Sequence, residues 1–557
     1  MGAVARARVR PTASVVALLA LLVSCATPAP QRPAAVRPVE TAASGPHAMV
    51  ATAHADATEA GLELLRRGGN AVDAAVAAAF AIGVVEPHAS GLGGEGVMIV
   101  HLAATRQTLV LDYKSVAPAA DPDGDVARSG AASATVPGVV AGLCTALRDW
   151  GTMPLDEVLA PAIRLAEDGF DVSPGLAAAA LDYFETIVGD EALAATFCPS
   201  GLPVEGGARI RIPELGQTLR SIAREGPSVF YTGAIADRIV AAMREGGGLI
   251  TDADLAGYRP IVREPLRASY RGFDIFTTPP PTGGLAVLDN LNLLARLDLG
   301  AASPFDVTTV HLLTEVMRRG YADHRAWVGD PGFVEVPVAG LMSDAYAERR
   351  IADIRPDAIS DQVVAGEPEV WESPSTTSLV AVDAQGNMVA VTQTLSDLFG
   401  AKVMVPGTGV ILNNELRNFS ARGPNLRQPG KRPRTSIAPT LVFLDDRPVL
   451  AVATPGAARI VSTTTLLLVN LIDHGMDLRR AIDAPRFHAH NTDPRLFVEG
   501  SLPLATVEGL ADLGYPVEVL RERDPFFGGA QAIMVDLDTG ALVGVADPRR
   551  DGTADGL

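Results

Sequence analysis

The sequence predicts an α+β protein in which the sheets are covered on their outer faces by helices. Three observations support this prediction. Residues from about 48 to about 350 show mostly helical patterns, short apolar strand runs follow residue 350, and helical patterns return before the C-terminus. Because apolar strands flanked by helical segments need cover on both faces, the sheets are expected inside a layered structure.

The helical part begins with an alanine-rich run at residues 55–85, which Gly68 and Gly69 divide into two helices. A glycine-rich segment at residues 87–96, PHASGLGGEG, then leads into a strand at residues 97–100. This segment lacks the lysine of a phosphate loop and the spacing of a dinucleotide-binding motif, so close backbone packing explains its glycines. Further helices are predicted at residues 154–168 and 235–244, and after the rigid loop at residues 278–284.

The strand-rich part contains short apolar runs that are separated by turn residues. These runs predict strands at residues 378–382, 388–394, 440–443 and 449–453. Helical patterns return at residues 462–473 and 506–513. The chain shows no short-period repeat of the solenoid kind, which excludes a repeat architecture.

Composition and charge exclude several classes of protein. With 557 residues, 48% hydrophobic and 20% charged, the chain is globular and exceeds one ordinary core. Its net charge of −19 disfavours a nucleic-acid partner, because phosphate binding needs a basic surface. No Cys/His cluster has the spacing of zinc ligands, and we predict neither a metal nor another cofactor.

Residues 1–24 have the pattern of a secretory signal peptide and are not expected to belong to the fold. Three arginines precede an apolar run at residues 13–23 that is too short to remain as a membrane anchor. The run leads to Cys25, as in a bacterial lipoprotein processing site, so Cys25 is predicted to be lipidated; a plain signal peptide is the alternative. Residues 25–47 then form a flexible tether. Cys144 and Cys198 remain, and the sequence does not show whether they pair.

The stretch WESPSTTSLVAVDAQGNMVAVTQT, residues 371–394, places two threonines where a loop becomes a strand. Threonine is common in strands and Ser-Pro in loops, so these threonines can be purely structural. The turn at residues 383–387 predicts a hairpin in which Val382 faces Met388. In that register Thr376 lies opposite Thr394, close enough for their hydroxyls to hydrogen-bond, whereas a slip of one residue separates them.

Many blocks, in order along the mature chain, resemble the gamma-glutamyltransferase (gamma-glutamyltranspeptidase) family of N-terminal-nucleophile hydrolases. They are VVEPHASGLGGEG, ATVPGVVAGL, GTMPLDEVLAPAIRLAEDGF, GGGLITDADLAGY, TTPPPTGG, YADHRAWVGDP, STTSLVAVDAQGNMVAVTQT, ILNNELRNFS, KRPRTSIAPT, ATPGAARI and ADPRR. The resemblance implies a four-layer αββα sandwich. It also implies self-cleavage between Ser375 and Thr376, which divides the precursor into a large subunit, residues 48–375, and a small subunit, residues 376–557.

The resemblance assigns catalytic roles around the new terminus. Thr376 becomes the nucleophile, and its α-amine, with an ordinary pKa of about 7.7–8.0, accepts the hydroxyl proton near neutral pH. Thr394 matches the threonine that hydrogen-bonds the nucleophile. The backbone N–H groups of Gly456 and Ala457 match the family's oxyanion hole, where Ala457 stands in place of a second glycine.

The substrate pocket implied by the resemblance departs from the family pattern. Lys114 stands where an arginine binds the substrate α-carboxylate. Lysine keeps the positive charge of arginine but loses its bidentate hydrogen-bonding geometry. Thr435 and Ser436 match paired serines that bind the same carboxylate.

The part of that pocket that is expected to bind the substrate α-amine, which carries an ammonium charge, departs further from the family pattern. Ser396 replaces an asparagine, Asn418 replaces an aspartate, and Glu415 keeps the family's acceptor. The loss of one charge facing the ammonium weakens its binding. The pocket is therefore expected to tolerate a free carboxylate better than it requires a free α-amine.

The leading prediction is an autoprocessed, exported enzyme that cleaves γ-glutamyl amides such as glutathione through an acyl-enzyme on Thr376. The acyl group would pass to water or to amino acids and peptides. One alternative is the same machinery with an altered acyl specificity, as in a cephalosporin acylase. Another is a catalytically silent cell-envelope lipoprotein. The expected partners are the small substrate, the two subunits of one precursor and, through the lipid anchor, the periplasmic face of a bacterial membrane.

Overall fold

The computed structural model describes residues 42–120, 126–299, 303–360, 363–364 and 376–557. The predicted signal peptide, Cys25, the tether up to residue 41, and Ser375 lie outside the described residues. Residues 42–45, which the sequence placed in the tether, form a strand that pairs with a strand near the C-terminus.

Within the described residues the chain forms eighteen α-helices and twenty-one strands. The helices are α1 Ala55–Arg66, α2 Ala71–Val85, α3 Val139–Trp150, α4 Leu155–Asp168, α5 Pro174–Asp182, α6 Phe184–Ile187, α7 Glu191–Phe197, α8 Pro213–Glu225, α9 Ser228–Tyr231, α10 Ala234–Gly246, α11 Asp252–Gly257, α12 Gly284–Leu294, α13 Val307–Trp327, α14 Val338–Leu341, α15 Asp344–Ile351, α16 Arg459–Ile472, α17 Leu478–Asp483 and α18 Leu504–Asp512. The strands are β1 Ala42–Gly45, β2 Met49–Thr52, β3 Glu95–Leu102, β4 Gln107–Asp112, β5 Phe170–Asp171, β6 Arg209–Ile210, β7 Ile261–Arg263, β8 Leu266–Tyr270, β9 Phe273–Thr277, β10 Thr377–Val382, β11 Met388–Thr394, β12 Met404–Val405, β13 Val410–Ile411, β14 Thr440–Leu444, β15 Arg447–Ala453, β16 Phe487–Ala489, β17 Leu496–Glu499, β18 Val517–Leu520, β19 Gln531–Val535, β20 Leu542–Ala546 and β21 Thr553–Gly556. Short 3₁₀ turns lie at Ala131–Ser133, Glu415–Asn418 and Pro525–Phe527.

Two antiparallel sheets of seven strands dominate the described part of the chain. The hairpin sheet has the order β21-β2-β10-β11-β3-β4-β7, and the opposing sheet has the order β1-β20-β19-β15-β14-β9-β8. Strands from both sides of the predicted cut lie next to each other in both sheets. The two predicted subunits are therefore interleaved and not separate domains.

Alternating side chains on β10 assign the layers. Leu379 and Ala381 pack in a core with α1, α2, α3 and α4, whereas Val380 and Val382 pack in a second core with strands of the opposing sheet. Helices α12, α13 and α16 add their buried faces to that second core. Because successive strand residues point to opposite faces, the arrangement is helix, sheet, sheet, helix. The predicted four-layer αββα sandwich is confirmed.

Several sequence predictions of single elements are also confirmed. The break at Gly68 separates α1 from α2, and Asn70 and Asp73 form a capping box that starts α2. Strand β11 has the predicted bounds, and β10, β14 and β15 extend their predictions by one or two residues. The sequence missed the strands β2, β4, β8 and β9, which lie in the part predicted to be mostly helical.

Cys144 and Cys198 are both buried, free thiols that are not bonded to each other. Burial raises the pKa of Cys144 to about 12, so this thiol stays protonated and unreactive. Among the described residues, no helix has the length and apolar run needed to cross a bilayer. The described residues also contain no group of three or more metal-ligating side chains placed to share an ion.

A buried ion network holds the C-terminal segment in place. The Arg549 guanidinium donates to both oxygens of Glu499, at 2.6 Å each, and to Asp547 Oδ1 at 3.2 Å. It also donates to the carbonyl oxygens of Ile482 and Ala484. Because its donors are all engaged and its side chain is fully buried, removing it leaves carboxylates without their partner.

Arg549→Ala is expected to lower the free energy of unfolding by about 3–5 kcal/mol, because it leaves buried charge uncompensated. Denaturant unfolding, followed by circular dichroism at several protein concentrations, measures this loss. Arg495→Ala is the matched control, since Arg495 forms exposed ion pairs with Asp493 and Glu518 and should shift the midpoint far less. Equal shifts for the two variants would contradict the assignment.

Candidate active site

The register of the β10–β11 hairpin brings Thr376 and Thr394 together. Val382 pairs with Met388 at the turn and Thr377 pairs with Gln393, so the predicted register is confirmed. Thr376 directly precedes β10, and its Oγ1 lies 3.5 Å from the Oγ1 of Thr394. This distance is longer than a usual hydroxyl hydrogen bond. Both side chains are buried and lie on the face that meets the opposing sheet.

The main chain at the start of β10 is held by two side-chain contacts. Arg550 Nη1 donates to the carbonyl oxygen of Thr376 at 3.0 Å. Thr377 Oγ1, on the other face of the strand, donates to Glu86 Oε2 at 2.6 Å. These contacts fix the backbone of the proposed nucleophile independently of its own side chain.

Glu86 is a buried carboxyl group that follows α2. Burial raises the pKa of Glu86 to about 7, and the Thr377 hydrogen bond and the Arg550 charge oppose this rise. Burial also lowers the pKa of the Arg550 guanidinium, although Glu86 opposes that change. The nearby His88 is neutral, because burial and the Arg550 charge lower the pKa of His88 to about 3.

The segment that joins β15 to α16 carries the predicted oxyanion hole. Ser378 Oγ donates to the carbonyl oxygen of Ala453 at 3.2 Å, which ties β10 to the end of β15. Gly456 has φ of 128° and Ala457 has φ of 51°, and the latter is uncommon for a residue with a Cβ. Such strained backbone clusters at functional sites. The oxyanion role of both N–H groups stays a prediction.

The glycine-rich segment before β3 packs against the backbone of Thr394. A Cβ at Gly94 would lie 2.4 Å from the Thr394 carbonyl oxygen, so only glycine fits there. The next residue, Glu95, is the register partner of Thr394 on β3. Residues directly opposed in adjacent strands share one face, so Glu95 lies in the same row as Thr376 and Thr394.

Glu95 forms a fully buried ion pair with the predicted substrate-binding Lys114. The backbone N–H and Oγ of Ser115 donate to Glu95 Oε2 at 2.9 and 2.6 Å. The N–H of Lys114 donates to Asp112 Oδ1, and Tyr258 donates to the Lys114 carbonyl oxygen. Lys114 is thus rigidly placed, and its charge is already paired within the protein.

Ser396 links the threonine pair to the rest of the predicted pocket. Its backbone N–H donates to Thr394 Oγ1 at 2.8 Å, and its Oγ accepts a hydrogen bond from Asn418 Nδ2 at 3.0 Å. Ser396 has φ of 80°, which is uncommon for a residue other than glycine. The turn after β11 therefore directs Ser396 between the threonines and Asn418.

Glu415 and Asn418 lie on one 3₁₀ turn and contact each other. Asn418 Nδ2 donates to Glu415 Oε2 at 2.7 Å. Burial and the Glu95 charge raise the pKa of Glu415 to about 8, against the opposing effects of Lys114, Asn418 and Ser396. Glu415 is therefore largely protonated at neutral pH.

Thr435 and Ser436 lie against the turn before α12. The N–H of Thr435 donates to the Pro281 carbonyl oxygen at 2.9 Å. A Cβ at Gly283 would lie 2.3 Å from the Ser436 carbonyl oxygen, which shows how closely this backbone approaches. The predicted role of Thr435 and Ser436 in binding a carboxylate stays a prediction.

The structure thus groups most of the predicted site residues and adds three that the sequence did not indicate. Thr376, Thr394, Ser396, Asn418, Glu415 and Lys114 are linked by hydrogen bonds, register or charge. The additional residues are Glu86, Glu95 and Arg550. Glu95 alone had a local signal, since it is the single charged residue between residues 87 and 100.

The raised pKa of Glu86 predicts how stability depends on pH. The folded state holds the Glu86 proton up to about pH 7, whereas the unfolded state releases it near its ordinary pKa of 4.5. The resulting stabilisation is present below about pH 4.5 and is lost as the pH rises through about 7. Relative to Glu86→Gln, the wild type should lose up to about 3 kcal/mol between these pH values.

Thermal unfolding of mature protein at one concentration, from about pH 5 to about pH 8, tests this dependence. Glu185→Gln, at an exposed position, is the control and should give a curve parallel to the wild type. A parallel curve for Glu86→Gln would contradict the prediction.

Comparisons with known proteins place this geometry in a family. The family model described as gamma-glutamyltranspeptidase matches residues 57–557. The chain is 36% identical to the glutathione hydrolase proenzyme of Bacillus subtilis (strain 168), over 92% of each chain. It is 39% identical to the acylase ACY 1 proenzyme of Pseudomonas sp. (strain SE83), over 92% of this chain and 94% of the relative.

A solved structure agrees with the sequence matches. The crystal structure of cephalosporin acylase from Bacillus halodurans superimposes with a TM-score of 0.85 at 31% identity. The superposition covers 95% of this chain and 99% of that one. The chain therefore belongs to the gamma-glutamyltranspeptidase family and has the N-terminal-nucleophile hydrolase fold.

Proposed function

We propose that this protein is an autoprocessed amidohydrolase and acyltransferase that uses Thr376 as its nucleophile. The observation that carries the proposal is the position of Thr376 at the start of β10, with its Oγ1 3.5 Å from that of Thr394. The Arg550 contact to its carbonyl oxygen fixes the same residue from the C-terminal side. A threonine held this way is a suitable nucleophile once its α-amine is released.

Maturation is proposed to break the peptide bond between Ser375 and Thr376. The break gives Thr376 a free α-amine with an ordinary pKa of about 7.7–8.0, so it can act as a base near neutral pH. Residues 376–557 would then form the small subunit. The shared sheets and the contacts of Arg550 and Glu86 keep the new terminus in place.

In the proposed reaction the α-amine takes the proton of Thr376 Oγ1 as that oxygen attacks the amide carbonyl of the substrate. The N–H groups of Gly456 and Ala457 stabilise the oxyanion. The α-amine then gives its proton to the leaving amine, and an ester on Thr376 remains. Water or the amine of an amino acid or peptide attacks this ester and releases the acyl group.

The first candidate substrates are γ-glutamyl amides such as glutathione. They fit the family and the glutathione hydrolase names of its relatives.

The second candidate is an amide with a different acyl group, as in the relatives named acylases. The observation that favours the second candidate is the buried pair of Lys114 with Glu95, since an arginine in this position is expected to bind a substrate carboxylate.

We also propose that the mature protein is exported and carries a lipid on Cys25 that holds it at the periplasmic face of a bacterial membrane. The pattern of residues 1–25 supports this proposal.

Purified wild-type protein should contain two chains, and N-terminal sequencing of the smaller should read Thr-Thr-Ser-Leu-Val. Thr376→Ala should stay a single inactive chain, whereas Thr376→Ser should still cleave, because it keeps a hydroxyl.

Thr394→Val should slow turnover about tenfold or more by removing one hydrogen bond to the nucleophile. Thr392→Val is the matched control, since Thr392 lies two residues earlier on β11 and its hydroxyl contacts no polar group among the described residues. An active wild type that stays uncut would refute the mechanism.

Lipidation predicts where the protein is found after fractionation. Wild-type protein should enter the detergent phase with the membrane fraction, because an acyl chain adds apolar area that binds the bilayer. Cys25→Ser should change the processing of the precursor and remove this behaviour. Equal solubility of both proteins would show that residues 1–24 are an ordinary signal peptide.

A further inference from the structure

Glu95 pairs with the ammonium group of Lys114, which the family resemblance assigns to binding the substrate carboxylate. Its Oε1 contacts Lys114 Nζ, and its Oε2 accepts two hydrogen bonds from Ser115. The side chains of Glu95 and Lys114 are both fully buried. Because Ser115 anchors the carboxylate from the other side, Glu95 is a fixed partner of Lys114.

The pair lies close to the proposed nucleophile. Glu95 is the register partner of Thr394 on β3, and Thr394 faces Thr376 across the hairpin. Two strand spacings separate Thr376 from Glu95, which is roughly 10 Å between backbones. A short acyl chain on Thr376 would reach the Glu95–Lys114 pair if it ran along this row.

The charged groups around the end of such a chain add up to no excess of positive charge. Lys114 is balanced by Glu95, and both charges act electrostatically on the nearby carboxyl of Glu415. Behind Lys114, Arg263 and Arg432 are held on Asp112 by ion pairs of 2.8 and 3.3 Å. The Asp330 carboxylate, which accepts a hydrogen bond from the Arg432 backbone N–H at 2.9 Å, balances the second arginine.

A substrate carboxylate at this point would share one ammonium group with Glu95. Two carboxylates at one site repel each other, and one of them must take up a proton or move away. The Ser115 contacts prevent Glu95 from moving away without losing two hydrogen bonds. Of the two candidate substrate classes, the geometry therefore disfavours the γ-glutamyl amides and supports amides with a different acyl group.

We infer that Glu95 determines acyl specificity, and that this site accepts a short acyl chain that lacks a free carboxylate. The inference rests on the proposed function of Thr376 and deepens it by naming the acyl class. It reverses the expectation from sequence that the pocket tolerates a carboxylate, because that expectation assigned Lys114 to the substrate alone. Glu95 acts here by occupying Lys114, and it takes no part in the attack on the amide.

Four p-nitroanilides form a matched test on mature wild-type protein: γ-glutamyl, glutaryl, 4-aminobutyryl and butyryl. They present the same chain with both charged groups, the carboxylate alone, the amine alone, or neither. We expect kcat/KM for the two donors without a carboxylate to exceed that for the other two by about tenfold or more. Rates measured with Thr376→Ala are subtracted, which removes any spontaneous cyclisation of the 4-aminobutyryl donor.

Glu95→Gln tests the cause of the preference, since it keeps the shape of the side chain and releases the charge of Lys114. We expect kcat/KM for the γ-glutamyl and glutaryl donors to rise about tenfold, mainly through a lower KM. The gain should be absent when Glu95→Gln is combined with Lys114→Met. A structural defect would instead lower kcat for all four donors.

A wild type that prefers the glutaryl or γ-glutamyl donor overturns the inference even if Glu95→Gln does not fold, because that ranking needs no variant. An unchanged ranking in well-folded, self-cleaved Glu95→Gln also overturns it. Failure of the proposed function looks different: no donor is cut by the two-chain protein, or Thr376→Ala cuts as fast as the wild type. In that case the specificity inference falls with the nucleophile.

Discussion

The backbone register of one hairpin and of the strand beside it determines how Thr376, Thr394 and Glu95 are aligned in the candidate site. From the Val382–Met388 pair at the turn, the register places Thr376 opposite Thr394, and Thr394 opposite Glu95 on β3. A slip of one residue would turn Thr376 toward the helices and Thr377 toward the opposing sheet. Both faces of β10 are packed in apolar layers, so such a slip would bury the wrong side chains on both faces. The layered fold therefore specifies the register strongly.

The same layering explains how the proposed cut beside Thr376 can leave the site intact. Terminal residues usually fray, because no neighbour holds them on one side. Here β10 lies between β2 and β11 in the middle of the sheet, Arg550 binds the Thr376 carbonyl oxygen, and Thr377 binds Glu86. In each of these contacts, the atoms that are held belong to Thr376, Thr377 or β10, which lie on the C-terminal side of the proposed cut. The contacts would remain if the preceding peptide bond were broken, and they would hold the Thr376 hydroxyl in place for the proposed attack.

Local sequence patterns predicted the elements near the site better than the contacts between them. The bounds of β11 and the break between α1 and α2 follow from apolar periodicity and glycine, which are local signals. Strands β2, β8 and β9 have four or five residues each, too few for a period of two to stand out among helical patterns. The partner of Thr377 is 291 residues away and that of Thr376 is 174 residues away, so no local pattern indicates either. The resemblance identified Lys114 by its position in the sequence, but position alone does not show that Lys114 forms an ion pair with Glu95.

Because Lys114 is fully buried, it matters which group supplies its counter-charge. A lysine that is fully buried without a counter-charge is unstable in its charged form, so a pocket with Lys114 alone would depend on the substrate for neutralisation. Glu95 supplies the counter-charge from within the protein, and the pocket is electrically complete before any substrate enters. The acyl group then has to match a neutral, hydrogen-bonded surface formed with Ser396, Asn418 and a largely protonated Glu415. In the proposed reaction the nucleophile and its base both belong to Thr376, so a change of the buried Glu95 charge is expected to alter acyl preference and not the attack by Thr376.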